Sequence, residues 1–122
     1  MSQVRLYLYS NCSSCKNAER LLSDHNVDVL ARDLFRDKLS VPELCTLFAE
    51  IGKSPREMLS RRSVPYRQMR LEESNPDDEE ILELMATSPA LIRRPIVVAP
   101  DSVQVGFNRT ELEKVAVANG RE

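Results

Sequence analysis

Two cysteines separated by two serines, Cys12-Ser13-Ser14-Cys15, are the residues of this chain best suited to chemistry. Cys-x-x-Cys serves thiol–disulfide exchange when its first thiol ionises readily. A thiol at the open N-terminus of a helix meets unpaired backbone N–H groups and the positive end of the helix dipole, and both stabilise a thiolate. A pKa below about 8.5 makes that sulfur nucleophilic near neutral pH. Lys16 adds positive charge one turn on. Cys15 shares the helical face of Cys12, so it can attack a mixed disulfide formed on Cys12 and release the partner reduced. This division of labour predicts an exposed Cys12 and a more shielded Cys15.

Two other chemistries use the same residues. One is a zinc site, for which Cys12, Cys15, Cys45 and the single histidine, His25, are the candidate ligands. There is no second Cys-x-x-Cys, and a dozen helical residues separate His25 from Cys12 by roughly 18 Å, too far for one ion. No metal is therefore expected. The other is a pair of ordinary thiols near a helix start. Cys45 adjoins an apolar helical face and is expected to be a small buried hydrophobe, with a third redox cysteine as the alternative. His25 is expected at a solvated helix end.

The elements that must position the cysteines follow from periodicity. Val4, Leu6 and Leu8 alternate with Arg5, Tyr7 and Tyr9, which predicts a strand over 4–9, broken at Ser10-Asn11. Ala18, Leu21 and Leu22 then recur at helical spacing, predicting a helix over about 13–25. Residues 27–34 form a second strand. A crossover of this length makes the two strands parallel. Cys12 thus falls where the first strand hands over to the first helix.

The middle, about 40–90, is expected to be helical. Ser40-Val41-Pro42-Glu43 is a capping box ahead of Leu44, Leu47, Phe48 and Ile51, and Gly52 stops that helix. Ser54-Pro55-Arg56-Glu57 repeats the box. Asn75-Pro76 opens a further helix with Ile81, Leu84 and Met85 as its buried stripe. The carboxylates of Asp77, Asp78, Glu79 and Glu80 either complement that helix's dipole or form an acidic docking patch. Residues 96–99 are a strand, which Pro100-Asp101-Ser102 turns into a hairpin with 103–105. Asn108 and Glu111 cap a last helix bearing Leu112, Val115 and Ala116, ended at Gly120. The order β-α-β, helical insert, β-β-α predicts an α/β chain with a thioredoxin-like fold, a mixed four-stranded sheet and an inserted helical region.

Composition sets the limits. The chain has 122 residues, 42% hydrophobic and 30% charged, which fits one domain over 1–122 with a real core. Seventeen Lys+Arg against 19 Asp+Glu give a net charge of −2, which excludes the broad basic surface of a direct, non-specific nucleic-acid binder. Three cysteines do not make a secreted disulfide scaffold. No apolar run nears the roughly 20 residues of a membrane span, and MSQVRLYLYS lacks a signal peptide's apolar region. The expectation is a cytoplasmic monomer with no membrane partner.

Arg93-Arg94-Pro95 precedes the third strand. In a thioredoxin-like architecture a cis-proline faces the active thiol here, which predicts a cis Arg94–Pro95 bond and places Arg94 near Cys12. From there Arg94 can stabilise the thiolate and bind an anionic substrate group. Arg61, Arg62, Arg67 and Arg70 cluster around Ser63-Val64-Pro65-Tyr66. They read as an anion clamp, a docking surface for an acidic partner, or a solvated face.

Nearly the whole chain resembles the ArsC/Spx family. The residues that carry the resemblance are Tyr9-Ser10-Asn11-Cys12-Ser13-Ser14-Cys15-Lys16-Asn17-Ala18, Arg61-Arg62-Ser63, Leu91-Ile92-Arg93-Arg94-Pro95-Ile96-Val97-Val98 and Val105-Gly106-Phe107-Asn108. The resemblance implies Cys12 as redox nucleophile with Arg94 beside it, and Arg61, Arg62, Arg94 and Pro95 as substrate-binding positions. It implies one of two jobs. Arsenate reductases of the family act on arsenate, hold it with three arginines and draw electrons from glutathione and glutaredoxin; thioredoxin is a further possible donor. Of those arginines Arg94 carries over, while Ser60 and Phe107 stand at the other two places, with Arg109 two positions on. The Spx branch holds redox-sensing regulators that bind the C-terminal domain of the RNA polymerase α subunit, and Arg62-Ser63 matches its Arg-Ser. The expected function is a thiol–disulfide oxidoreductase acting on a small oxyanion or disulfide, with no bound cofactor and Cys15 resolving. The alternative is an Spx-type regulator.

Overall fold

The computed structural model describes residues 3–9 and 11–120. Ser10, where the sequence predicts the first break, and the chain start at Met1 and Ser2 lie outside the described residues. In chain order the elements are β1 (Gln3–Leu8), α1 (Ser13–Asp24), β2 (Asp28–Asp33), α2 (Val41–Ile51), α3 (Val64–Gln68), α4 (Leu71–Ser74), α5 (Asp78–Thr87), a 3-10 turn (Pro89–Leu91), β3 (Ile96–Ala99), β4 (Ser102–Val105) and α6 (Arg109–Asn119). Two compact units result. One joins the chain up to Leu34 with the chain from Arg94 onward; the other is Phe35–Arg93.

The first unit holds the sheet, in the order β2-β1-β3-β4. β1 runs parallel to β2, with Leu6 opposite Ala31, because α1 carries the chain back across the sheet between them. β3 runs antiparallel to β1 and to β4, so the sheet is mixed. The alternation read in β1 places Val4, Leu6 and Leu8 in one apolar cluster with Val97 and Ala99 of β3. Ala18, Leu21 and Leu22 of α1 and Leu112, Val115 and Ala116 of α6 complete it. Each fully buried leucine here contributes about 1.5–3 kcal/mol of transfer free energy. α1 and α6 pack against each other. The chain after α6 closes on the end of α1 through a bridge between Val27 and Gly120. Gly120 is required by close approach: a Cβ there would lie 2.5 Å from the His25 carbonyl oxygen.

The second unit is the helical insert. Ser40 and Glu43 form the expected reciprocal box, with the Ser40 N–H donating to Glu43 Oε1 at 3.1 Å and the Glu43 N–H to Ser40 Oγ at 3.3 Å. Gly52 ends α2 in the left-handed region, φ 70°. α2 packs on α5.

The insert also brings four corrections. The Ser54–Glu57 box forms, with the Ser54 N–H donating to Glu57 Oε2 at 2.8 Å, yet it opens only a turn. Helical bonding stops because the next backbone groups pair elsewhere: the Ser60 N–H donates to the Leu91 carbonyl at 2.6 Å, and the Arg93 N–H to the Met58 carbonyl at 2.9 Å. On α5 the buried stripe is Ile81, Leu82 and Met85, with Leu84 only half-buried. The cap is Asp77, not the Asn75-Pro76 pair, and its carboxylate accepts from the Glu80 N–H at 2.9 Å. Cys45 is exposed. It follows Leu44 by 100° of helical rotation, and adjacent helical positions do not face the same way. The short helices α3 and α4 were not read from the sequence, since four or five residues are too few for periodicity to register.

This is a thioredoxin-like fold with a mixed four-stranded sheet and an inserted helical region. Among the described residues no helix is long and apolar enough to cross a membrane.

Candidate functional site

Cys12 occupies the N-cap of α1, with φ −96° and ψ 123°. Its N–H donates back to the Tyr9 carbonyl at 3.2 Å, and its own carbonyl accepts the first helical bond, from the Lys16 N–H, at 3.0 Å. No side-chain hydrogen bond closes this cap, so the helix end stays open to a charge on the Cys12 sulfur. Cys12 is half-buried and Cys15 is 1% exposed, inside the apolar cluster of the first unit. The asymmetry expected of the pair is therefore present in its burial. Both are free thiols, as is Cys45.

Arg94 and Pro95 enter the site ahead of β3. The peptide bond between them is cis, as the sequence predicts. Pro95 is buried, and its carbonyl accepts from the Gly106 N–H at 2.8 Å. Gly106 has φ 83°, a conformation that favours glycine. The Arg94 guanidinium carbon lies 4.6 Å from the centroid of the Tyr9 ring. Its Nε is buried and has no hydrogen-bond partner among the described residues.

Electrostatics separate the two thiols. Burial opposes ionisation of Cys12, but the Cys15 backbone N–H, the Cys15 thiol and the Arg94 charge together hold its pKa below the ordinary thiol value. Burial pushes the Cys15 thiol up to about 12, with the neighbouring Cys12 adding to the rise against the Tyr9 N–H and Arg94. That Tyr9 N–H donates to the Cys15 sulfur at 3.5 Å. The arrangement can hold a thiolate at Cys12 and keep a proton on Cys15.

The structure thus brings together Cys12, Cys15 and Arg94, with Pro95 following Arg94 in the chain. Arg61 and Arg62 are exposed and belong to the other unit, where they line a cavity of about 380 Å³ together with Arg56, Glu57 and Arg93. Arg67 and Arg70 are exposed in the same unit. Lys16 is exposed on α1. His25 caps the other end of that helix, half-buried, with Nδ1 2.9 Å from the Leu21 carbonyl oxygen. Among the described residues no cluster of His, Cys, Asp and Glu is arranged to hold a metal ion.

Tyr9 is the residue that sequence reasoning missed as part of the site. It read only as the last position of an alternating strand. The fact that it lies 3% exposed beside Arg94 depends on a pairing between distant parts of the chain, which leaves no local signal.

Comparison with known proteins places this geometry among relatives. The model of the ArsC family matches residues 7–115. The chain is 29% identical over 111 residues to the global transcriptional regulator Spx of Enterococcus faecalis, covering 91% of this chain and 84% of that protein. Among solved structures, an ArsC family related protein from Bacteroides fragilis superposes with a TM-score of 0.77 at 29% identity, over 93% of this chain and 98% of the other. An arsenate reductase from Vibrio cholerae gives 0.76 at 26% identity, over 93% and 94% of the two chains.

Proposed function

Because the chain belongs to the ArsC family, we propose that it acts as a thiol–disulfide oxidoreductase, with Cys12 as nucleophile and Cys15 as resolving cysteine. The observation that carries this reading is the opposed placement of two sulfurs three residues apart: Cys12 only half-buried at a helix end beside Arg94, which favours its thiolate, and Cys15 buried in the apolar cluster, which favours its thiol.

The steps follow from those states. The Cys12 thiolate attacks one sulfur of a disulfide substrate, forming a mixed disulfide and expelling the other sulfur as a thiolate that takes a proton from water. While Cys12 is a thiolate, its charge helps keep Cys15 protonated. Once Cys12 is bonded to the substrate sulfur that charge is gone, and Cys15 loses its proton more readily. The Cys15 thiolate then attacks the Cys12 sulfur, and the second substrate thiolate leaves. The substrate has gained two electrons, and the protein holds a Cys12–Cys15 disulfide. A thiol donor returns the two electrons: two glutathione molecules, with glutaredoxin, end as glutathione disulfide, or one dithiol such as thioredoxin ends as its own disulfide. Arg94, beside Cys12, supplies the positive charge that favours a thiolate and an anionic substrate group.

The test is turnover with a disulfide substrate, and with arsenate in the presence of glutathione and glutaredoxin. Cys12→Ser is expected to abolish turnover, and Cys15→Ser to accumulate the mixed disulfide on Cys12. Turnover that survives Cys12→Ser overturns the mechanism.

A second reading has its own support in the Spx relatives and in Arg62-Ser63. In it the Cys12–Cys15 pair is a redox switch, and the protein binds the RNA polymerase α subunit rather than turning over a substrate. A pull-down with purified α subunit under reducing and oxidising conditions tests it. Capture that depends on redox state supports it, and no capture in either state removes it.

A further inference from the structure

Tyr9 makes three separate contacts within the site. Its carbonyl accepts from the Cys12 N–H at 3.2 Å. Its N–H donates to the Cys15 sulfur at 3.5 Å. Its ring lies 4.6 Å from the Arg94 guanidinium carbon. The residue is 3% exposed, so the ring is a fixed wall and not a mobile surface group. We infer that Tyr9 is the positioning residue of this site: its backbone holds the Cys12 N–H and the Cys15 sulfur, and its ring holds the Arg94 guanidinium beside Cys12.

The argument for the ring is physical. Arginine is long and loses considerable side-chain freedom when it is held in one place. A guanidinium held by hydrogen bonds normally satisfies Nε, yet here Nε is buried with no partner among the described residues. The flat cation is attracted to the ring's negative face, and that attraction strengthens where water is excluded. Without the ring, Arg94 gains more by swinging to solvent, where Nε is satisfied by water. Cys12 then loses the cation that favours its thiolate. The groups acting on the Cys12 sulfur are Arg94 and Cys15, with Lys16 exposed on the same helix. Among the contacts described, the ring of Tyr9 reaches Cys12 through Arg94. This inference rests on reading Cys12 as the reactive sulfur.

The experiment is the pH dependence of Cys12 alkylation in the reduced protein, on a Cys45→Ser background so that the exposed Cys45 does not react. Tyr9→Phe keeps the ring and is expected to stay within about twofold of wild type. Tyr9→Leu is expected to move the profile upward and slow alkylation at neutral pH by roughly three- to tenfold, since each pKa unit changes the thiolate fraction about tenfold. On an Arg94→Gln background, Tyr9→Leu is expected to add nothing. A Tyr9→Leu profile that matches wild type overturns the inference, as does an equal shift with and without Arg94. If Tyr9→Leu does not fold, pentafluorophenylalanine in place of Tyr9 keeps the shape of the ring but makes its face positive. The same upward shift is then expected, and an unchanged profile overturns the inference. The two proposals fail separately. A lowered Cys12 pKa that ignores Tyr9 removes only this one. A Tyr9-dependent pKa in a protein with no Cys12-dependent turnover removes only the oxidoreductase reading.

Discussion

Cys12, the N-cap of α1, and Cys15, one helical turn on, have their thiol pKa values pushed in opposite directions, down for the first and up for the second. Cys12 sits at the open end of the helix, half-buried beside a guanidinium. Cys15 sits inside the apolar cluster at 1% exposure. A displacement of only three residues carries the chain from the helix cap into the core, because the helix end meets the sheet at that point. Of the two sulfurs, Cys12 is thereby the readier to ionise, and Cys15 holds its proton more tightly.

The first consequence is a large difference in reactivity. In the reduced protein at neutral pH, site-resolved mass spectrometry is expected to find Cys12 alkylated faster than Cys15 by roughly two orders of magnitude or more. Equal rates would contradict both the burial and the charge asymmetry.

The raised Cys15 value has a stability signature. A thiol held protonated in the native state but free to ionise in the unfolded chain contributes stability that is fully present below the unfolded pKa, about 8.5. That contribution is lost as pH rises toward the native value of about 12. The melting temperature of the reduced protein is expected to fall over this range, and to fall less steeply in Cys15→Ala. Parallel curves for the two proteins would show that Cys15 ionises as freely in the fold as out of it.

Charge alone does not replace Arg94. Arg94→Lys keeps a cation but not the flat guanidinium that lies over Tyr9. Ultraviolet thiolate absorbance is expected to give Cys12 a pKa between those of wild type and Arg94→Gln. A wild-type value in Arg94→Gln would remove Arg94 from the site.

Gly120→Ala tests the closure of the first unit. The added Cβ would meet the His25 carbonyl oxygen at 2.5 Å and the Ala116 carbonyl oxygen at 3.0 Å. Both are backbone atoms with little room to yield, so denaturant unfolding is expected to show a loss of about 1–3 kcal/mol. A neutral result would mean that the end of α6 does not sit against the end of α1 in solution.

The insert can be tested on α5. Leu82→Ala removes a buried side chain and is expected to cost about 2–5 kcal/mol, whereas Leu84→Ala, half-buried, is expected to cost no more than about half as much. The reverse order would restore the stripe that periodicity alone suggests.

Local rules determined much of this protein. Period-two alternation at Val4, Leu6 and Leu8, helical spacing at Ala18, Leu21 and Leu22, and the Ser40–Glu43 box each act over a few residues, and each appears where the sequence places it. The position of Cys12 at a strand-to-helix junction follows from the same short-range patterns. Tertiary structure decided the rest. The Ser54–Glu57 box lost its helix because Met58 and Ser60 found backbone partners at Arg93 and Leu91. Leu82 displaced Leu84 in the buried stripe because α5 is packed by α2 and by the turn Pro89–Leu91, partners that the spacing along α5 does not reveal. Tyr9 joined the site because β1 and β3 are neighbours in the sheet, which brings Arg94 from the far end of the chain onto its ring. Contacts between residues close in sequence are written in spacing and residue type. Contacts between distant residues exist only once the sheet has closed, and the charge environment of Cys12 is made of both.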